Sequence, residues 1–528
     1  MGVQLSRREA ISVIAITFAV GAAALGVAIA KTGGRSTARP HAIAATRPSA
    51  APAAAPVSIT SPPAPTAIAT ENARVGTPGW TVQHPSTSGQ VEGYADQVSA
   101  QVGDTVTLYV NTTAPYWVAT AYRMGWYGGV LARQVWRSAP VSGVRQRPAV
   151  FTPGINLVQT HWAPSLAVHI TPDWVPGDYL FKLLSSTGWD TYIPLTIRDD
   201  ASTAPILIVN AVTTWEAYNL WDDEDLYAGH AGRADVVSFD RPYHLGDGSG
   251  DFLGSEEKLV KLVESAGLDV SYTTDVDLAT RPELLLHHRV IVSLGHDEYY
   301  STGMRDALEA ARNHGVNLVF LGANAIYRHI RLQPSALGPD RQIVNYRVAA
   351  NDPDRTTDPA EVTVQWRDAP VNRPESTLLG EMYQCNPVHA DMVVTDPTAW
   401  LWAGAGIVAG EHLPGLIGAE YDHWSSTDTE PPGGSTVELV AQSPVTCRGH
   451  TSTADFSYYV APSGAGVIDT GTSSWVPSTL DDPRIGALVA QVTLTVLRTA
   501  STGPLGPMHR AHSTRPVPGG SGFAPAGD

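Results

Sequence analysis

The chain has 528 residues, of which 43% are hydrophobic and 16% are charged, and its formal net charge is −17. A chain of this length and composition can bury more than one hydrophobic core, so we expect it to be globular over most of its length. The acidic charge and the lack of a basic stripe exclude a nucleic-acid partner, because binding to phosphate backbones depends on clustered Lys and Arg.

Residues 1–31 have the pattern of a targeting segment. Arg7 and Arg8 precede a small and apolar run from Ala10 to Ala30, which is typical of a twin-arginine export signal. A membrane anchor with flanking positive charges is the alternative, since about 20 apolar residues can span a bilayer. Both interpretations place the protein outside the cytoplasm, either secreted or anchored to the cell membrane by this segment alone.

Two further segments have a composition that cannot bury enough surface to fold. Residues 32–73 are rich in Ala, Pro, Ser and Thr and are predicted to form a disordered stalk, and residues 501–528 are predicted to form a flexible tail. Between them the hydrophobic pattern changes near residue 200. The change divides the body of the chain into two predicted domains, residues 74–200 and residues 201–500.

The first of these domains contains short runs of alternating or β-branched residues separated by Gly, Pro, Asp and Ser. The clearest runs are DTVTLYVNTT, YWVATAYRMGW, LAVHIT, DYLFKLLSS and TYIPLTIR. Repeated short strands with turn signals between them predict an antiparallel β-sandwich. We expect this domain to serve packing or presentation rather than chemistry.

The second predicted domain alternates strands with helices. Ile206–Asn210, Arg289–Leu294 and Asn317–Leu321 are predicted to be short buried strands. Ser255 and Ser301 are predicted to cap the helices between them, because a hydroxyl can accept a hydrogen bond from a free N–H group at a helix start. This alternation predicts an α/β domain with a mainly parallel sheet covered on both faces.

Polar side chains follow three of the predicted strands. ILIVN is followed by AVTTWEAYN, RVIVSL by GHDEYY, and NLVFL by GANAIY. Ligands of such sheets bind beyond the carboxyl ends of the strands, so we expect Tyr218, His296, Glu298 and Asn324 to meet at one edge. Packing is the alternative role for any single tyrosine here, and helix capping is the alternative for Asp297.

The motifs that the sequence lacks limit the types of reaction that this edge of the sheet could catalyse. It contains no G-x-S-x-G elbow, no H-E-x-x-H pair and no phosphate-binding Gly loop. Phenolate and carboxylate oxygens together form a hard anionic set, which suits an oxidised iron better than a soft metal. A metal held in this way can polarise a carbonyl group and supply hydroxide near neutral pH.

The sequence contains only two cysteines, Cys385 and Cys447. In an exported protein a lone pair of cysteines is predicted to form a disulfide, and two buried free thiols are the alternative. A metal site built on them would need more thiols, or histidines at ligand spacing.

A series of motifs resembles the N,N-dimethylformamidase large (β) subunit family, in its C-terminal-domain-like branch. The motifs include TTWEAYN, VSFDRPY, SLGHDEYYS, LGANAIYRHIR and YYVAPSGAGVIDTGT, in an order that runs from about residue 93 to about residue 475. The resemblance implies a β-sandwich-like domain followed by a flavodoxin- or glutamine-amidotransferase-like α/β domain. It also implies a mononuclear ferric iron and hydrolysis of the C–N bond of a small linear amide.

The resemblance further implies which residues hold the iron. Two tyrosines and one glutamate are the ligands in this family. The motifs place Glu298 and Tyr218 in two of these positions, and Tyr179 in PGDYLFKL is the favoured second tyrosine because of its spacing before Tyr218. Tyr299 is the alternative to Tyr179.

Other implied roles concern protons and the substrate. The resemblance implies His296 as a base or proton shuttle and Asn324 as a hydrogen-bond partner of the substrate oxygen, both acting beside the catalytic Glu298. Glu420 in GAEYD is a weaker candidate for a further carboxylate.

The chain departs from the enzyme that names the family, which is intracellular and has a small second subunit. This chain carries a predicted export signal and stalk, so its substrate can differ from that of the named enzyme. We therefore expect a small amide as substrate but do not assume dimethylformamide itself. The sequence leaves open whether the protein forms a homo-oligomer and whether it binds a small subunit. A non-catalytic cell-surface protein that keeps the fold is the main alternative to an enzyme.

Overall fold

The computed structural model describes residues 66–478 and 481–513, and these residues belong to one compact unit. The predicted signal or anchor and most of the predicted stalk lie outside the described residues. Strands account for 35% of the structure and helices for 20%, so the chain is mostly β-sheet. Within the described ranges no helix is both long enough and apolar enough to cross a membrane.

The N-terminal part consists of short strands in two facing sheets and one separate two-stranded sheet. Its strands are β1 (Val91–Ala95), β2 (Ser99–Gln101), β3 (Thr105–Thr112), β4 (Tyr116–Met124), β5 (Ala132–Arg137), β6 (Val141–Ser142), β7 (Val150–Thr152), β8 (Leu157–Gln159), β9 (Leu166–His169), β10 (Gly177–Ser185) and β11 (Asp190–Arg198). One sheet has the order β1-β3-β9, and the other has β2-β11-β10-β4-β5 with β6 beside β4. Side chains from both sheets, such as Val106, Trp117 and Phe181, share one core. The strands predicted in this region are present with nearly the expected limits.

Residues 66–73, which were predicted to belong to the stalk, form the short helix α1 (Ala67–Asn72). The Thr66 hydroxyl accepts a hydrogen bond from the Ala69 N–H at 3.1 Å and so caps the helix. Ile68 is buried in the main hydrophobic core. One cap and one apolar anchor therefore order a segment whose average composition predicts disorder.

The structure also describes residues 501–513, the first part of the predicted tail. Leu505 is fully buried, and the Tyr458 hydroxyl donates to the His509 carbonyl at 2.7 Å. The Pro- and Gly-rich residues 501–513 thus pack on the body of the protein. The remaining tail, residues 514–528, lies outside the described residues.

The C-terminal part begins with alternating strands and helices. Its first elements are β12 (Ile206–Asn210), α2 (Val212–Tyr218), β13 (Val236–Ser238), α3 (Ser249–Asp251), α4 (Glu257–Ser265), β14 (Val270–Thr274), α5 (Asp275–Thr280), β15 (Val290–Gly295), β16 (Tyr299–Ser301), α6 (Thr302–Asn313), β17 (Asn317–Gly322), β18 (Arg328–Ser335) and β19 (Gly338–Val344). Ser301 caps α6 as predicted, because its hydroxyl accepts from the Met304 N–H. Ser255 is not a cap, since it lies in a π-helical turn that joins α3 to α4.

The remaining elements complete the main sheet and add a long hairpin. They are α7 (Ser376–Leu379), β20 (Met382–Val393), β21 (His412–His423), β22 (Val437–Cys447), β23 (His450–Val460), β24 (Gly466–Asp469) and α8 (Gly486–Ala500). The main sheet has the order β14-β12-β15-β17-β24-β23-β22, in which the first five strands are parallel and the last two antiparallel. Strands β20 and β21 pair with each other, and β13-β19-β18-β16 form a separate sheet.

The predicted disulfide is confirmed. Cys385 on β20 and Cys447 at the end of β22 are joined by an S–S bond of 2.02 Å. Both residues are buried, so the bond ties the β20–β21 hairpin to the antiparallel edge of the main sheet.

Candidate active site

Two neighbouring strands of the main sheet end in glycines that lie against each other. Gly295 ends β15 and Gly322 ends β17, and the two residues are partners in the strand register. A Cβ atom on Gly322 would lie 1.7 Å from the Gly295 carbonyl oxygen, and Gly295 itself has a φ of +58°. Only glycine fits this close approach. Both strands therefore turn out of the sheet at the same edge, and they carry His296 and Asn324 there.

Three tyrosine hydroxyls are hydrogen-bonded to one another, and two of them also contact the Glu298 carboxylate. The Tyr218 hydroxyl donates to Glu298 Oε2 at 2.7 Å, and the Tyr227 hydroxyl lies 3.1 Å from the same oxygen and 2.7 Å from the Tyr218 hydroxyl. The Tyr299 hydroxyl in turn donates to that of Tyr227 at 2.7 Å. Glu298 is only 1% exposed. We call these four residues the tyrosine–glutamate cluster.

The backbone around Glu298 is fixed by hydrogen bonds to α2 and to the start of β18. Its N–H donates to the Thr214 hydroxyl on α2 at 2.9 Å, and its carbonyl accepts from the Arg328 N–H at 2.9 Å. Asp297 does not cap the following helix; its carboxylate accepts the Tyr300 hydroxyl at 2.6 Å. The carboxylate of Glu298 is thus held by a rigid frame, as a preorganised site requires.

A second group of polar residues adjoins the first. His296 Nε2 lies 3.4 Å from Glu298 Oε2 and 3.1 Å from Glu420 Oε2. Asn324 Nδ2 lies 3.4 Å from His296 Nε2 and 3.3 Å from Glu420 Oε2, while Asn386 Nδ2 donates to Glu420 Oε1 at 2.7 Å. We call His296, Asn324, Asn386 and Glu420 the histidine–amide cluster. The two clusters meet at Glu298.

The electrostatics of the two clusters differ. Burial lowers the pKa of His296, but the Glu420 and Glu298 carboxylates outweigh burial and raise this pKa to about 9. Burial and the charge of Glu298 raise the pKa of Tyr218 well above its ordinary value. The imidazole is therefore protonated and the phenol neutral at pH 7. The His296 side chain is 29% exposed and that of Glu298 is 2% exposed, so solvent reaches the site on the histidine side.

Tyr179 does not join either cluster. Its hydroxyl donates to the Val175 carbonyl at 2.7 Å, and its ring stacks on Trp174 with the ring centroids 5.0 Å apart. It belongs to the core shared by the two N-terminal sheets. The structure thus brings together Tyr218, Glu298, His296 and Asn324, with Tyr299 and Glu420 beside them, and corrects the expectation for Tyr179.

Four residues of the site were missed from the sequence. Tyr227 lies in an irregular segment after α2, and Asn386 lies on the antiparallel strand β20. Arg328 Nε lies 3.5 Å from Glu298 Oε1, and the Arg347 guanidinium lies 4.1 Å above the Tyr227 ring. Tyr227, Asn386 and Arg347 do not come directly after a predicted parallel strand, and Arg328, which follows GANAIY, was not selected.

A metal site at this edge of the sheet requires several donor atoms that face one point. Across residues 66–478 and 481–513, no group of three or more His, Cys, Asp and Glu side chains is placed to hold a metal ion. A metal at this edge would depend on phenolic oxygens as well. The oxygens that converge are those of Tyr218, Tyr227 and Glu298.

The site lies within the part of the chain that matches a known family. A family model described as N,N-dimethylformamidase beta subunit-like, C-terminal, matches residues 118–484, which is more than half of the chain. The chain belongs to the N,N-dimethylformamidase β-subunit-like family. Every member of both clusters lies within the matched residues of this dimethylformamidase-like chain. No curated protein matches it.

Solved structures resemble this dimethylformamidase-like chain only weakly. An uncharacterized protein from Bacillus anthracis str. Ames is 11% identical, with a TM-score of 0.14, over 22% of this chain and 84% of that chain. The Paenibacillus sp. cycloisomaltooligosaccharide glucanotransferase complexed with cycloisomaltoheptaose is 8% identical, with a TM-score of 0.16, over 43% of this chain and 44% of that chain. Such low scores support no statement about function.

Proposed function

We propose that the protein is an iron-dependent hydrolase that cleaves the C–N bond of a small linear amide. Membership of the dimethylformamidase-like family supports this class of reaction. The observation that carries the proposal is the convergence of two tyrosine hydroxyls on one buried carboxylate, with distances of 2.7 Å between the Tyr218 hydroxyl and Glu298 and 2.7 Å between the two hydroxyls. Packing alone would not require three acidic groups to share one small volume.

The donor set fits the proposed ferric ion. Tyr218, Tyr227 and Glu298 supply only oxygen donors, and deprotonated phenols with a carboxylate suit a hard, highly charged cation. Burial and the Glu298 charge raise the pKa of Tyr227 well above its ordinary value, so a nearby cation is needed to displace the phenolic proton. This set replaces the one expected from the family resemblance, with Tyr227 in place of Tyr179. When bound, the ion would supply Lewis acidity toward the amide carbonyl.

Proton transfer is assigned to His296. Hydrolysis adds water across the C–N bond, so one proton must leave the attacking water and one must reach the departing amine nitrogen. His296 Nε2 lies between the Glu298 and Glu420 carboxylates, at 3.4 and 3.1 Å, and its side chain faces the solvent-accessible side of the site. A protonated histidine so placed can deliver its proton to the leaving nitrogen and then take up the proton that the attacking water releases.

Substrate orientation is assigned to Asn324. Its Oδ1 atom is buried and has no hydrogen-bond partner, while its Nδ2 is directed to Glu420 and His296. An amide group with an unused buried acceptor is suited to bind a polar group of the substrate. Glu298 is 2% and Glu420 12% exposed in their side chains, and this narrow access fits a small substrate.

The remaining parts of the proposal concern the whole protein. Residues 1–31 would direct export, so that the protein is secreted or stays anchored to the cell membrane. The β-subunit-like description of the family supports an association with a further subunit. The facing N-terminal sheets would form a β-sandwich-like domain, and the parallel strands β14-β12-β15-β17-β24 a flavodoxin- or glutamine-amidotransferase-like domain.

The test is metal analysis and visible absorption spectroscopy of the full chain produced in the cytoplasm with added iron. We expect stoichiometric iron, a phenolate-to-iron charge-transfer band, and release of dimethylamine from N,N-dimethylformamide used as a probe amide. Glu298→Gln removes the charged ligand and should abolish all three signals. Glu283→Gln is the matched control, because Glu283 is exposed and belongs to neither cluster.

A colourless, metal-free protein without hydrolysis would reject the proposal. In that case the chain would be a non-catalytic surface protein that keeps the family fold. Iron binding without turnover of N,N-dimethylformamide would reject that amide as substrate, and a series of other small linear amides would then be compared on the same iron-loaded protein.

A further inference from the structure

Asn324 has an unusual backbone conformation. Its φ is +63°, which is the left-handed region that residues other than glycine rarely adopt. Such a conformation costs of order 1–3 kcal/mol and persists only where surrounding contacts enforce it. The residue directly follows the Gly322–Ala323 end of β17, so its conformation decides where the Asn324 side chain is directed.

One contact holds this backbone from the neighbouring hairpin. The Asn324 N–H donates to Asp422 Oδ1 at 2.8 Å. Asp422 lies on β21, two residues after Glu420, and residues two apart on a strand point to the same face. Glu420 contacts the Asn324 side chain at 3.3 Å, so one strand holds Asn324 by its backbone and by its amide group together.

Asp422 is itself part of a buried group of carboxyls. Asp422 and Asp469 are both fully buried, and each has one side-chain oxygen without a hydrogen-bond partner. Burial and the charge of Asp422 raise the pKa of Asp469 well above its ordinary value. Burial likewise raises the pKa of Asp422 to about 7 against the lowering effect of the Asn324 N–H. Two neighbouring carboxyl groups out of water are more stable when at least one of them is protonated.

We infer that Asp422, braced by Asp469, is a positioning residue that holds Asn324 in its left-handed conformation and so directs the Asn324 amide toward His296 and Glu420. The inference rests on the proposed function for the role of Asn324 in catalysis. The hydrogen bond from the Asn324 backbone and its consequence for the loop do not depend on that function. None of the contacts described above joins Asp422 to the proposed iron ligands Tyr218, Tyr227 and Glu298.

The test combines hydrogen–deuterium exchange at the Asn324 amide with steady-state hydrolysis of N,N-dimethylformamide by the iron-loaded full chain. Asp422→Ala removes the acceptor, so we expect exchange at Asn324 to be at least about 10-fold faster and kcat to fall about 10- to 100-fold, with a smaller change in KM. Asp422→Asn keeps an acceptor for Asn324 and a donor for Asp469, and should retain wild-type exchange and most of kcat.

One further variant, Glu420→Gln, serves as a control for the Asn324 side chain. Glu420→Gln alters the side-chain contacts of Glu420, including the one with Asn324, but leaves the hydrogen bond from the Asn324 N–H to Asp422, so exchange at the Asn324 amide should stay at the wild-type rate. If Asp422→Ala does not fold, fast exchange in Asp422→Asn overturns the inference and wild-type exchange with retained kcat supports it. Unchanged exchange in a folded Asp422→Ala protein would also overturn it. If the iron-loaded wild-type protein hydrolyses none of the small linear amides, the proposed function fails, and the exchange comparison still decides whether Asp422 positions the loop.

Discussion

Buried tyrosines occur in two regions of this protein with different surroundings. In the core of the N-terminal sheets, the Tyr179 hydroxyl is satisfied by the Val175 carbonyl at 2.7 Å. At the edge of the main sheet, the hydroxyls of Tyr218 and Tyr227 contact each other and one carboxylate. Burial raises the pKa of both Tyr179 and Tyr218, so burial does not distinguish them. The partner of the hydroxyl distinguishes them. A hydroxyl that donates to a backbone carbonyl has a structural role, whereas hydroxyls that converge on a carboxylate can bind a cation together with it.

The largest expected effect is that of Tyr227→Phe. The Tyr227 hydroxyl contacts Tyr218, Glu298 and Tyr299, so its loss should remove a ligand and abolish iron binding, the charge-transfer band and amide hydrolysis. Tyr299→Phe is the matched control, because the Tyr299 hydroxyl reaches the set through the Tyr227 hydroxyl and the ring is kept. It should lower hydrolysis by about 10-fold and retain the iron. Retained iron in Tyr227→Phe together with lost iron in Tyr179→Phe would reverse the assignment.

The sequence predicted the elements that a local pattern determines. Alternating runs such as DTVTLYVNTT became β3 with nearly the same limits, and ILIVN became β12 without change. The long antiparallel strands β20 to β23 were not predicted. Their contacts join residues that are distant in the chain, and their buried polar positions, such as Asp422 and Asp455, disguise the alternation that marks a strand.

The residues of the candidate site also fall into those that a local pattern predicted and those that it did not. The residues that follow parallel strands, His296, Glu298 and Asn324, were found because the sheet topology itself collects them. Tyr227 and Asn386 were not, because an irregular segment and a hairpin bring them in from elsewhere. Tyr179 was chosen by spacing along the chain, and spacing does not report which way a strand residue faces. Tertiary contacts therefore decide which of several tyrosines joins the carboxylate.

A smaller effect is expected from Asp178, the neighbour of Tyr179 on β10. Burial raises the pKa of Asp178 to about 7, against the lowering effect of its hydrogen bond from Asn210. The folded protein therefore binds this proton more tightly than the unfolded chain, whose Asp pKa is about 3.9. The folded state should lose up to about 1.4 kcal/mol of stability for each pH unit between these two values, and no more above pH 7.

Asp178→Asn removes this titration, so the variant should gain thermal stability relative to the wild type as the pH rises from about 4 to about 7. Thermal unfolding across this range measures the difference. Asp173→Asn, at an exposed aspartate before β10, is the control and should track the wild type. A difference between Asp178→Asn and wild type that stays constant with pH would contradict the raised pKa.

The smallest expected effect is that of Tyr179→Phe, which tests the difference between the two tyrosine regions most directly. Tyr179→Phe leaves the ring on Trp174 and removes only the hydrogen bond to the Val175 carbonyl, so we expect a loss of about 1 kcal/mol in the free energy of unfolding. Urea denaturation measures this loss, and Tyr116→Phe, at a tyrosine that is 50% exposed, is the control with no expected change. Iron content and the visible spectrum should stay at wild-type values in both variants. If Tyr179→Phe lost the charge-transfer band but kept wild-type stability, the Tyr179 hydroxyl would be a metal ligand. Loss of a purely structural hydroxyl would lower the stability and leave the spectrum unchanged.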